Sequence, residues 1–501
     1  MRNRRLFRLL AILFAFTLVA AACGDDDDST SSSGESSASS SSSESSSAEG
    51  LNIGTLLPET GPLAFLSAPM LEGVNMAIAD INAAGGVNGA PVTLSPGDSG
   101  TDAEIANATV DRLITENVDA IIGAASSGTT GSVIEKITKT NGITQCSPSN
   151  TAAGLGVSTE SDDGNYFRTA PSDDLQAPLL ANVVLGDGYT NVAVVSRADD
   201  YGVGFNAVLI PAIEAGGGEV VYDTPYAPEA TSFDDVVQDV VASGPDAVVL
   251  VAFEEGFQII QAMIEQGAGP DAIQIYITDG MATGELGAAI DPDNPGIAEG
   301  MKGTAPAAAP ESGAAFFPAA FEEYAPGVPS IYSSQSYDCA ILIALAAEAA
   351  GSNDSADISA AMVDVSRDGE KCSTFADCKD LLAGGTNIDY DGASGAIDFL
   401  DAGEPGAGIY DIYDFDENGV QRVLEQQTFT DGSAPVQAAP APAGIGLNAL
   451  DTPTTMSTTC APSIASLPQW IAVAEGLYEA RNLTLECVQI GSGPETAAAL
   501  A

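Results

Sequence analysis

From Leu51 onward, short apolar runs alternate with segments of helical spacing, and this alternation admits few architectures. Leu51–Leu57 has strand character and is stopped by Pro58, Gly61 and Pro62. Leu71, Val74, Ile78 and Ile81 then keep helical spacing until Gly85 and Gly86 end it. Val92–Leu94 predicts a second strand and Ala103–Asn117 a second helix. Third and fourth strands follow at Asp119–Gly123 and Gly142–Cys146. A second series begins after Tyr166–Pro171, with strands at Val192–Ser196, Val220–Asp223, Ala247–Phe253 and Ile273–Thr278. Its helices lie near Phe205–Ala215, Phe233–Ala242 and Gly256–Gln266. Successive βαβ units call for a parallel sheet covered by helices on both faces. The expected class is therefore α/β, with two doubly wound, Rossmann-like lobes and a cleft between them. Ser333–Gly351 predicts a long helix, and Ile409–Phe415 with Val420–Leu424 a closing hairpin.

The third and fourth strands each run into a cluster of small hydroxyl residues, Ser126–Thr130 and Ser147–Thr151. In open α/β sheets, ligands bind beyond the carboxyl ends of the strands. Helix N-termini there offer free N–H groups and a positive dipole end to an anion. A carboxylate-sized group suits such a pair of ends. Ser127 and Thr151 are equally suited to be plain helix N-caps.

The chain has 501 residues, enough for two or three globular units. It carries 70 acidic and 15 basic residues, a formal charge of −55, which disfavours nucleic acid as a partner of the folded body. No histidine occurs, so Ser–His–Asp and Cys–His catalysis are excluded, as is the commonest zinc ligand. Carboxylate, lysine and metal–carboxylate chemistry stay open, but no acid/base pair stands out. We expect no enzyme, no cofactor and no resident metal. Asp414–Gly419 with Glu425 satisfies the written calcium-loop pattern, yet its flanks read as strands and an Asn-Gly turn gives the same string.

The amino terminus reads as an address. Arg2, Arg4, Arg5 and Arg8 precede an apolar run, Leu9 to Ala22, too short to span a membrane comfortably. The run ends Leu18-Val19-Ala20-Ala21-Ala22-Cys23 and resembles a bacterial lipoprotein signal, with Cys23 as the lipidated residue; Ala20 departs from the usual larger aliphatic. An ordinary secretory signal is the alternative, and both place the body outside the cytoplasm. Residues 24–50 are mostly Ser, Asp, Glu and Gly and read as a solvated tether of roughly 25–30 Å mean reach.

Beyond these local readings, the motifs Gly54-Thr55 to Gly61-Pro62, Glu72-Gly73, Asp80-Ile81-Asn82, Gly85-Gly86-Val87-Asn88-Gly89 and Ile121-Ile122-Gly123 stand in a shared order with Phe167-Arg168-Thr169, Asp200-Tyr201-Gly202 and Tyr337-Asp338. Over about residues 51–430 the chain resembles type I solute-binding proteins, the leucine/isoleucine/valine-type receptors of ABC importers. The resemblance implies a small-molecule ligand, permease and ATPase partners, and no catalysis. It implies a binding domain over 51–432, with lobe one at about 51–171 and 303–400 and lobe two at about 172–302 and 401–432. Carried over by position, Ser127, Ser149 and Thr151 would hold a ligand carboxylate and part of its ammonium. Tyr201 would close over the ligand from lobe two, and Asp279 would accept from the ammonium. Phe253 stands where a tyrosine is common. Tyr201 and Phe253 also read as ordinary core aromatics, and Asp279 as part of a turn.

Apart from Cys23, six cysteines remain, an even number suited to an oxidising compartment. Cys372 and Cys378 would close a small loop, and the family mapping places Cys146 with Cys339 in lobe one. Zinc is the rival reading. Cys460 and Cys487 lie in the tail, where an Ala/Pro linker, 433–446, leads to 447–501. Pro468-Gln469-Trp470, Ala474–Tyr478 and Leu483–Leu485 resemble the opening of a type II nitrate/sulfonate/thiamine-precursor binding protein. The expectation is a truncated second receptor; a docking appendage is the alternative. For the whole chain, a ligand-sensing receptor and a receptor for an amide or urea remain beside the importer reading.

Overall fold

In the computed structural model, which describes residues 50–155, 162–307, 316–430, 454–459 and 483–488, the first lobe is built on five parallel strands. These are β1 (Asn52–Leu56), β2 (Thr93–Ser95), β3 (Ala120–Gly123), β4 (Thr144–Ser147) and β5 (Tyr166–Arg168), in the order β2-β1-β3-β4-β5. Helices α1 (Ser67–Ala83), α2 (Ala103–Thr115) and α3 (Ser127–Ile134) connect the first four strands. Strand β3 is buried at every residue, which is why it reads as a continuous apolar run and not an alternating one. Cys23, the linker and Cys460 lie outside the described residues.

The second lobe opens with α4 (Asp173–Gly186). It continues through β6 (Asn191–Ser196), α5 (Asp200–Ala215), β7 (Glu219–Tyr222), α6 (Asp234–Ser243), β8 (Ala247–Val251), α7 (Glu255–Glu265), β9 (Gln274–Ile277), α8 (Leu286–Ile290) and β10 (Lys302–Pro306). The chain then returns to lobe one with α9 (Phe317–Tyr324), α10 (Ser333–Ala350), α11 (Ser355–Met362), β11 (Glu370–Cys372), α12 (Phe375–Ala383), β12 (Ile388–Gly392) and β13 (Gly395–Ala396). Strands β14 (Ala407–Phe415) and β15 (Gln421–Thr430) form the hairpin that completes the second sheet, ordered β15-β14-β10-β9-β8-β6-β7. Because β10 pairs with β9 and β14, the return to lobe one begins after Pro306, slightly later than the expected 303. At the hairpin turn Arg422 binds Asp414, and Asp416 accepts from the N–H groups of Asn418 and Val420. Those acidic residues serve the turn. In the tail, β16 (Thr454–Thr459) and β17 (Leu483–Val488) pair in parallel.

Helix α10 has fifteen of its eighteen residues buried, so it carries Ala, Leu and Ile on every side. It lies against α1 at Gly73, where a Cβ would come within 2.3 Å of the Ser333 carbonyl oxygen. Several other motif residues are fastenings of the same kind. Asn82 both donates to and accepts from the Val92 backbone, and the Tyr337 hydroxyl donates to Asp80. Asp338 accepts from the Tyr390 hydroxyl and from the N–H groups of Ala393 and Ser394; burial still pushes its carboxyl up to about 6.

Two disulfides form, Cys146–Cys339 between β4 and α10 and Cys372–Cys378 between β11 and α12. Their sequence separations are 193 and 6, so on chain-entropy grounds the first constrains the unfolded chain by roughly 3 kcal/mol more. Replacing both Cys146 and Cys339 with Ala is expected to lower stability by about 2–5 kcal/mol, read by thermal and urea unfolding. An equal or larger loss from the Cys372/Cys378 pair would contradict the loop-length argument.

Candidate functional site between the lobes

The carboxyl ends of β3 and β4 are laced together, and the lacing decides what they present. The carbonyl of Gly123 accepts from Gln145, that of Ala124 from Ser147, and that of Ala125 from both Ser149 and Asn150. On the next loop, the carbonyls of Asn150 and Ala152 accept from Arg168, and that of Thr151 from the N–H of Asp173. With these acceptors engaged elsewhere, the wall is left rich in donors. Ser126 is the N-cap of α3, its hydroxyl accepting from the Thr129 N–H, and the first helical bond runs from Thr130 to Ser126. The N–H groups of Ser127 and Gly128 therefore stand outside the ladder at the positive end of α3. Ser127 is not the cap. Its hydroxyl accepts from the Ala152 N–H at 3.3 Å and so joins the two loops. Ser149 directs its hydroxyl to Ala125 at 3.1 Å, which makes it mainly a brace.

Lobe two faces this wall with a carboxylate and two aromatic rings. Asp199 caps α5 and sets Tyr201 in the first turn, where its ring stacks on Phe253 at 5.4 Å between centroids. Asp279 follows β9 and is buried. Its Oδ1 accepts from the Tyr201 hydroxyl at 2.8 Å and from Gln176 Nε2 at 3.1 Å, and its Oδ2 accepts from the Tyr332 hydroxyl at 2.8 Å. Burial raises the Asp279 carboxyl above the usual carboxylate range, and these three donors pull it back. Burial and the Asp279 charge together raise the Tyr201 and Tyr332 hydroxyls well above normal, so both remain donors. Leu63, Leu66, Phe253 and Tyr332 line the rest of a narrow cavity of about 20 Å³, which also touches Ser127, Ser149, Thr151, Tyr201 and Asp279. All six residues singled out in the sequence border it. The lobes meet beside it, where a Cβ on Gly204 of α5 would lie 3.6 Å from the Ala152 side chain.

Tyr332, Gln176, Asp173 and Arg168 were not singled out for this site by sequence. Tyr332 precedes α10 with a left-handed φ of 57°, a backbone state with no side-chain signature at a tyrosine. Arg168 is fully buried, bound to Glu404 through Nε and Nη2 while Nη1 holds the Ser149–Ala152 loop. Asp173, at the start of α4, is fully buried, with the Thr151 side chain beside its carboxylate. Burial first, then the Asp279 charge, raise its carboxyl well above the usual range, against the pull of Arg168. The folded protein thus holds this proton more tightly than the unfolded chain. Asp173's contribution to stability is complete in acid and is lost as pH rises past the unfolded carboxylate range. Asp173→Asn should therefore melt higher than the parent near neutral pH, with the gap closing toward about pH 4. Paired thermal melts across that range test it; a gap independent of pH would refute it.

A two-lobed α/β protein with three interlobe crossings and a polar cavity at its seam is a solute-binding protein by class. A family model described as periplasmic binding protein matches residues 50–398, and the chain belongs to that family. It is similar to a chemotactic signal transduction substrate-binding protein, BasB, of Halobacterium salinarum, at 27% identity over 77% of this chain and 92% of that protein. It is also similar to a Leu/Ile/Val-binding protein homolog 1 of Brucella melitensis, at 28% identity over 62% of this chain and 81% of that one. Among solved structures, the substrate-binding protein LivJ of Streptococcus pneumoniae, in complex with isoleucine, aligns with a TM-score of 0.62. That match is 20% identical and covers 76% of this chain and all of LivJ. A solute-binding protein of R. palustris, in complex with 4-hydroxybenzoate, aligns at 0.61, with 19% identity over 76% of this chain and 98% of that one. These structural likenesses establish the fold. The family is extracytoplasmic, and no helix among the described residues is long and apolar enough to cross a membrane.

Proposed function

We propose that this protein is the receptor of an ABC importer that captures a small α-amino acid, of the branched-chain type, in the interlobe cavity. The observation that carries the reading is the polarity of the two walls: donors at the head of α3 and around Thr151, and a buried carboxylate, Asp279, across a cavity lined by Leu63 and Leu66. A zwitterion with an aliphatic side chain satisfies all three surfaces. The Brucella relatives and the isoleucine complex point to the same ligand class. A hydroxybenzoate would satisfy the donor wall and leave Asp279 without a cation. Thermal melts of the full chain with amino acids, amides and urea test this. Stabilisation by valine, leucine or isoleucine is expected; stabilisation by an amide or an aromatic acid alone would overturn the assignment.

The similarity to a chemotactic substrate-binding protein favours a second reading, in which the same ligand is reported to a transducer. Ligand uptake by cells with and without the protein separates the two. We also infer that Cys23 carries a lipid anchor, which the run Leu18–Cys23 supports. Cys23→Ser should release the protein from membranes into the soluble fraction. Residues 447–501 are inferred to belong to a second α/β unit, a reading that the parallel pairing of β16 with β17 supports.

A further inference from the structure

Phe253 lines the cavity, and a buried cation packs on its ring. The guanidinium carbon of Arg197, just past β6, lies 3.6 Å from the Phe253 ring centroid. Arg197 is only 6% exposed. Its Nε donates to Asp199 and its Nη1 to Glu255. Asp199 caps the helix that carries Tyr201. Glu255 opens α7 and also accepts from the Phe253 N–H at 3.2 Å and the Tyr226 hydroxyl at 2.8 Å. One planar group therefore fastens both loops that supply the stacked rings, and covers one of those rings as well. At the edge of the Phe253 ring, Gly280 approaches so closely that a Cβ would sit 2.8 Å from Cδ1. The ring is confined by a cation, by Tyr201 and by backbone.

What lies past the ring gives this clamp its meaning. The next two residues, Glu254 and Glu255, line a second cleft of about 570 Å³, with Pro62 on the same rim. The segment from Phe253 to Glu255 thus stands between the small interlobe cavity and a much larger cleft. We propose that Arg197 is a specificity-determining positioning residue: by pinning Phe253 against Tyr201 it sets the end wall that limits the bound side chain to a small aliphatic group. The inference rests on the solute-binding reading of this cavity. Lysine cannot replace it, because an ammonium is a point charge without the planar fork that meets two carboxylates and a ring face together.

The test compares full-length parent, Arg197→Lys, Arg197→Met and Phe253→Ala by calorimetric titration with valine, leucine and phenylalanine. The parent should bind leucine at least tenfold more tightly than phenylalanine. In all three variants that ratio should fall to threefold or less, even where overall affinity drops. An unchanged ratio with uniformly weaker binding would overturn the proposal and make Arg197 a structural residue only. A ligand-independent readout is the ring-flip rate of Phe253 in chains carrying ring-labelled phenylalanine, with the resonance assigned by its loss in Phe253→Ala. Flipping should be at least tenfold faster in Arg197→Lys than in the parent, and equal rates would overturn the clamp. If the parent binds none of the amino acids, the amino-acid reading falls, and the ring-flip comparison alone decides the clamp.

Discussion

Asp279→Asn is expected to weaken α-amino acid binding by roughly two to five kcal/mol, or about thirtyfold to several thousandfold. The carboxylate already accepts from Tyr201, Gln176 and Tyr332, which fix both oxygens and leave acceptor capacity toward the cavity. An amide of the same shape keeps the packing but brings no charge to a ligand ammonium. It also turns an NH2 group toward hydroxyls that were donating. Folding should not suffer in proportion, because the substitution removes a buried charge that burial itself opposes. The variant should melt no lower than the parent while its titrations with amino acids flatten. Unchanged affinity would mean that the ammonium lies elsewhere and that the zwitterion reading is wrong.

Arg168→Met is expected to lose stability as well as affinity, with a large destabilisation of about 3–5 kcal/mol. The guanidinium is fully buried, and its partner Glu404 is 9% exposed, so the substitution strands a carboxylate in the interior. It also frees the carbonyls of Asn150 and Ala152, the groups whose capture leaves that loop facing the cavity with donors. Affinity should therefore fall as well, although Arg168 is not among the residues lining the cavity. The double variant Arg168→Met/Glu404→Leu should regain much of the stability, since a buried pair replaced by apolar groups costs little, and should not regain affinity. Full recovery of binding in the double variant would show that the loop needs no clasp.

The order of strands and helices was legible because each βα unit is a local pattern of apolar spacing. Its boundaries were less so. α5 begins at Asp200, five residues before the spacing at Phe205 suggested, because a capped first turn is polar and carries no apolar stripe. Helix α4, with Pro178 within it, and the short strand β10 gave no periodic signal. Of the site, Tyr201, Phe253 and Asp279 could be found only through a family resemblance, since each alone reads as core or turn. Ser127 was expected as ligand contact or helix cap, and the structure gives the cap to Ser126.

What the sequence determined by itself was the pair of mainly parallel sheets, the direction of their strand ends, and so the donor character of the cleft. Those follow from spacing within a few residues and from the backbone left open at a helix N-terminus. Tertiary structure alone decided which side chains shape the cavity. The Tyr332 hydroxyl reaches Asp279 across 53 residues, Arg168 reaches Glu404 across 236, and Arg197 reaches Glu255 across 58. No local pattern encodes such contacts. They arise when folding brings distant loops together, within a lobe or at the seam, where buried charges such as Arg168 and Arg197 meet carboxylates.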